Sequence, residues 1–138
     1  MIDFYTETNF IHKYKKEFIN WLQQCVIDKQ FTVKEINYIF VNDSYLHTIN
    51  LKFLNHDTYT DIITFDYSKH NQLSADIFIS IERVKENAQK FNISFYKELA
   101  RVMIHGILHL MGYDDKTKQD QLIMRKLEED CLNKLKID

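Results

Sequence analysis

The chain has 138 residues, 45% of them hydrophobic and 14% aromatic, enough to bury the core of one domain and too apolar to stay disordered. Its formal net charge of −2 excludes a protein that coats nucleic acid indiscriminately, because such binding rests on many cationic contacts. No apolar run reaches the ~18 residues of a membrane-spanning helix and the N-terminus has no signal-peptide layout, so a soluble, cytoplasmic protein is expected.

Residues 1–8 contain a short strand in which Ile2 and Phe4 alternate. From Asn9 to about Ile27 the apolar residues Phe10, Ile11, Tyr14, Phe18, Leu22 and Val26 recur at helical spacing. Glu35 to Asn42 is a strand, after which Asp43 or Ser44 caps a helix through Asn55. Asp61 to Tyr67 is β-branched and aromatic, hence a strand; residues 66–73 are a polar connection; Ala75 to Ile81 is a strand of period two. Arg83 to Phe91 is helical, and Ser94 caps a helix over 95–111. A last amphipathic helix covers about Lys116 to Lys136, with Ile123, Leu127, Cys131 and Leu135 as its apolar stripe. There is no linker or repeat. The order β-α-β-α-β-β-α-α-α predicts one α+β domain over residues 1–138, a mixed four-stranded sheet with packed helices. One pair of cysteines, Cys25 and Cys131, makes no disulfide framework; both are expected as reduced core thiols.

The strongest chemical signal is His105-Gly106-Ile107-Leu108-His109-Leu110-Met111-Gly112-Tyr113-Asp114-Asp115. On a helix the two imidazoles, four residues apart, share a face and offer a metal ion two nitrogen ligands from one rigid element. Gly112 ends the helix, since glycine enters the left-handed region without steric cost. The chain then turns back; Asp115 is the best-placed third ligand and Asp114 its rival. Two histidines at this spacing also occur on ordinary helices as a packed pair. What favours a metal is the apolar stretch around them (Leu99, Val102, Met103, Ile104, Ile107, Leu108), in which imidazoles need partners. The pattern resembles the metal-binding helix of zincin proteases, but their glutamate base is Gly106 here, so peptide hydrolysis does not follow. Lysines 13, 15 and 16, and Lys116 and Lys118, are expected on solvated faces, as are His12, His47 and His70.

His105 to Asp115 resembles the signature H-G-x-L-H-L-x-G-Y-D-H of the YbeY family, with aspartate in place of the last histidine. Thr60-Asp61-Ile62-Ile63-Thr64-Phe65 resembles that family's T-D-V-L-S-F strand, Ala75-Asp76-Ile77 its G-D-I strand, and Glu98-Leu99 its glutamate-leucine pair. The resemblance implies a zinc-dependent, single-strand-specific endoribonuclease acting in 3′-end maturation of small-subunit (16S) ribosomal RNA and in ribosome quality control. It implies one zinc ion per chain on His105, His109 and Asp115, with a fourth position open for water or substrate. The implied partners are single-stranded ribosomal RNA, the small ribosomal subunit and its assembly proteins. Three carboxylates are candidates for the proton chemistry. Asp61 matches the T-D aspartate, Asp114 neighbours the third ligand, and Glu98 either orients an imidazole or pairs with Arg101. Two further departures stand out. Leu54 occupies the place of a family arginine, leaving Lys52 or His56 to contact phosphate, and Tyr59 replaces a proline. The alternative is a zinc-bearing ribosome-assembly factor without catalysis.

Overall fold

Leu73, Ala75, Ile77 and Ile79 are buried to 1% exposure or less while Ser74, Asp76 and Phe78 between them are only half-buried, the period of a strand with one face on a core. The same alternation recurs at Ile36, Tyr38 and Phe40 of this computed structural model, which describes residues 1–56 and 60–137. Tyr59 lies outside the described residues. The elements are β1 (Ile2–Thr6), α1 (Lys15–Asp28), β2 (Thr32–Val41), α2 (Asp43–Leu54), β3 (Ile62–Asp66), β4 (Gln72–Ser80), α3 (Ile81–Phe91), α4 (Phe95–Leu110) and α5 (Lys118–Leu132).

The sheet is mixed and four-stranded, as the pattern of elements predicts, and its strands lie in the order β1-β2-β4-β3. β1 runs parallel to β2 (Ile2 beside Ile36) and β2 parallel to β4 (Tyr38 beside Ile77). β3 is an antiparallel edge strand, with Ile62 opposite Ile79 and Phe65 opposite Asp76. One sheet face packs on α1 and α4 through Phe18, Leu22, Tyr38, Ile77, Met103 and Ile107, among others, and α5 lies against α4 with Met124 and Cys131 in the same core. Each such side chain contributes roughly 1.5–3 kcal/mol by leaving water. The buried Tyr38 hydroxyl donates to the Met103 carbonyl at 2.9 Å, tying β2 to α4. The opposite face carries α2, through Leu46 and Ile49 on Val41 and Ile63. Among the described residues no helix is long and apolar enough to cross a membrane.

Several sequence expectations are corrected. The helix expected from Asn9 begins only at Lys15, and Ile11 is 80% exposed. Side chains in residues 6–14 take up the backbone donors instead: the Thr8 and Phe10 N–H groups donate to the Thr6 and Thr8 hydroxyls, and the Tyr14 N–H to His12 Nδ1. This turns the His12 ring inward among Phe4, Phe10, Phe18 and Tyr96. His12 is therefore no surface residue; His47 is half-buried and His70 exposed. The cap of α2 is Asn42, whose side chain accepts from the Tyr45 N–H, because Asp43 is committed to Arg83. α5 is shorter than expected and rotated. Ile123 is 45% exposed, and the buried face runs through Met124, Glu128 and Cys131. Cys25 and Cys131 are both free and buried.

Candidate metal centre

Ser94 starts α4 as its sequence suggests, accepting from the Lys97 N–H at 3.3 Å. The helix stops in a Schellman arrangement. The Gly112 N–H donates to the His109 carbonyl (3.0 Å) and the Tyr113 N–H to the Leu108 carbonyl (3.1 Å). Gly112 sits at φ 104°, where a side chain is strained even though a Cβ there would meet nothing. The reversal brings Asp115 back over the helix end, and Gln121 of α5 holds its carbonyl at 3.0 Å.

Three donor atoms converge as a result. His105 Nε2 and His109 Nε2 lie 3.0 Å apart, and Asp115 Oδ2 lies 3.4 Å from the first and 3.6 Å from the second. Three lone-pair atoms this close repel unless a proton or a cation sits among them. An ion with ligands at ~2.0–2.1 Å in tetrahedral geometry needs ligand–ligand edges of about 3.3 Å, so the donor set fits zinc. Among the described residues, His105, His109 and Asp115 are the grouping able to hold a metal. Asp114, the rival ligand, is exposed and outside this group.

Behind His105 lies a buried chain of charge whose link through Glu128 sequence reading missed. Glu128, 2% exposed on α5, stands 2.6 Å from His105 Nδ1. With a carboxylate there, Nδ1 carries the ring proton and Nε2 keeps its lone pair toward the cluster. Arg101 bridges Glu128 (3.3 Å) to Glu98, to which its Nε donates at 2.8 Å. Glu98 raises the Arg101 guanidinium above its usual range, so this arginine stays charged. Glu98 is fully buried, so substrate does not touch it, and of its two expected roles the ion pair is the one formed. A signal for Glu128 did exist: it is the one acid on the buried stripe of α5, between Met124 and Cys131.

The donors open into a cleft of about 410 Å³ whose other walls include Asn50, Leu54, His56 and Asp61. Burial pushes the Asp61 carboxyl above the ordinary carboxylate range, against the pull of Arg101 and His105. His56 is exposed at the rim, whereas Lys52 is exposed on α2, its ammonium over the Phe53 ring. Gly106 fixes how close α4 approaches the cleft floor: a Cβ there would stand 3.1 Å from Ile62 and 3.3 Å from Ile77. A larger hollow of about 770 Å³ lies at the start of α4, bounded by Phe10, Lys13, Glu82, Lys85 and Tyr96. It holds none of the three donors, so size does not mark the chemistry here.

Comparison with known proteins agrees with this geometry. The family model described as Endoribonuclease YbeY matches residues 2–136. The chain belongs to the endoribonuclease YbeY family. It is 50% identical to an Endoribonuclease YbeY of Flavobacterium johnsoniae over 130 residues, 94% of each chain. It is 47% identical to one of Christiangramia forsetii over 129 residues, 94% of this chain and 90% of the other. Its fold is similar to a solution structure from Thermotoga maritima, with a TM-score of 0.69 and 30% identity over 96% of this chain and 90% of that one.

Proposed function

We propose that the protein is a zinc-dependent, single-strand-specific endoribonuclease acting in 3′-end maturation of small-subunit ribosomal RNA and in ribosome quality control. Its partners on this reading are the small ribosomal subunit and its assembly proteins, in the cytoplasm. The observation that carries the proposal is the convergence of His105 Nε2, His109 Nε2 and Asp115 Oδ2 at the mouth of an open cleft. These three residues would hold one zinc ion. When bound, zinc acts as a Lewis acid on a phosphoryl oxygen and makes water a better nucleophile at neutral pH.

The chain's own residues supply the rest. Glu128 holds the His105 ring by Nδ1, and Arg101 and Glu98 hold Glu128. Asp61, raised by burial and facing the cleft, is suited to accept the proton of the attacking water. Asp114 is left without a role in this scheme. Leu54 lines the cleft where the family pattern has arginine, and this favours the second reading, a zinc-bearing assembly factor that does not cut. The test is metal content together with cleavage of a single-stranded ribosomal RNA by wild type, His109→Ala and Asp115→Ala. Stoichiometric zinc and cleavage, both lost in the variants, support the nuclease. Zinc without cleavage by pure wild type, with co-sedimentation on small subunits, selects the assembly factor.

A further inference from the structure

Two openings meet at the donor atoms. The 410 Å³ cleft reaches them from the β3 side. A recess of about 250 Å³ reaches His105 and Asp115 from the α5 side, and Arg101, Gln121 and Arg125 line it. A nucleic-acid strand drawn across the donors runs from one opening into the other. Among the described residues the first opening is lined by no guanidinium, and Leu54 stands in its wall. The second has two, and they differ. Arg101 is engaged by Glu98 and Glu128. Arg125 is exposed and, among the described residues, makes no ion pair or hydrogen bond.

The position of Arg125 is nonetheless fixed. Gln121, four residues earlier on α5, donates to the Asp115 carbonyl, and Glu128, three residues later, bonds His105. Residues three and four apart share a helix face, so Arg125 sits on the face that α5 turns to the centre. The surrounding carboxylates of Asp115 and Glu128 make the recess unattractive to an anion without a cation of its own. An unpaired planar guanidinium is matched to phosphate oxygens, which it can bind in a two-pronged fashion. We propose that Arg125 forms a second phosphate subsite, which holds the phosphodiester neighbouring the one at the donor cluster; the proposal rests on the nuclease reading for its substrate class.

The test uses zinc-loaded protein and a short oligodeoxyuridylate, which offers the same phosphates but lacks the ribose hydroxyl. Arg125→Gln should weaken its binding about tenfold, the size of one hydrogen bond to a charged group. It should also lower the slope of log affinity against log salt by about 0.7, one phosphate contact on a single strand. The control Lys126→Gln removes the same charge one residue away, from a side chain 79% exposed, and should move affinity less than about twofold. Arg125→Lys should restore the slope and only part of the affinity. Equal losses in the two glutamine variants, or no loss in either, overturn the subsite. Cleavage of oligouridylate by wild type judges the nuclease reading separately. Cutting with no special effect of Arg125 sinks the subsite alone, whereas Arg125-dependent binding without cutting keeps it and sinks the nuclease. A wild type that neither binds nor cuts ends both.

Discussion

The two ends of α4 each meet an imidazole, and they treat it differently. At the N-terminal end, Tyr96 packs on His12, whose ring lies among Phe4, Phe10 and Phe18 with a buried Nε2 that has no hydrogen-bond partner among the described residues. At the C-terminal end, His105 has a carboxylate behind Nδ1 and two further donors in front of Nε2. The first environment keeps a ring neutral by burial, with a backbone N–H at Nδ1 and no carboxylate beside it; burial, with Lys15 adding to it, lowers His12 from 6.5 to about 4. The second aims a lone pair at a shared point. A buried histidine becomes a ligand through what stands behind its other nitrogen, more than through burial itself.

Removing the ligand at the far end tests that contrast most severely. Asp115→Ala should leave no stoichiometric metal after gel filtration and no RNA cleavage, with the fold intact by circular dichroism; retained metal would mean that the two imidazoles suffice. Next in size, Glu128→Gln removes the charge behind His105 and keeps its shape. Zinc affinity, read by competition with a chromogenic chelator, should fall about 10–100-fold. An unchanged affinity would show that the carboxylate does not set the ring.

The His12 end answers to pH. Because the unfolded chain takes up a proton near 6.5 and the native chain only near 4, stability attributable to His12 is complete above about 6.5. It is lost as pH falls from there toward 4, by on the order of 1–2 kcal/mol once partial exposure of the ring is allowed for. His12→Asn keeps an acceptor for the Tyr14 N–H and removes the titration, so urea melts across this window should show a flatter dependence than wild type. The smallest effects distinguish the caps. Ser94→Ala and Gly112→Ala should each cost about 1 kcal/mol, but only the second should also weaken zinc binding, since only it displaces the reversal that presents Asp115.

What the sequence made legible follows the range of the interactions. His105, His109 and Asp115 lie within one helix and its stop, where spacing alone sets geometry, and so do the alternating strands around Ile77 and Ile79. Glu128 joins the centre from 23 residues away, on a helix whose rotation is fixed by tertiary packing and not by its own periodicity. The late start of α1 was hidden for another reason. The apolar spacing from Phe10 to Val26 is helical throughout, but the Thr6, Thr8 and His12 side chains capture backbone donors before Lys15. His12 inside an aromatic cluster follows from that turn and carries no pattern of its own.

All four strands end by Ser80, whereas the donors and the charges behind them run from Glu98 to Glu128. Synthesis proceeds from the N-terminus, so every strand is made before the first donor leaves the ribosome. The apolar face bearing Tyr38 and Ile77 then waits for α4 to cover it. Each newly made molecule thus carries all of its scaffold before the residues able to hold a metal, and an ion would meet a chain whose sheet is already specified.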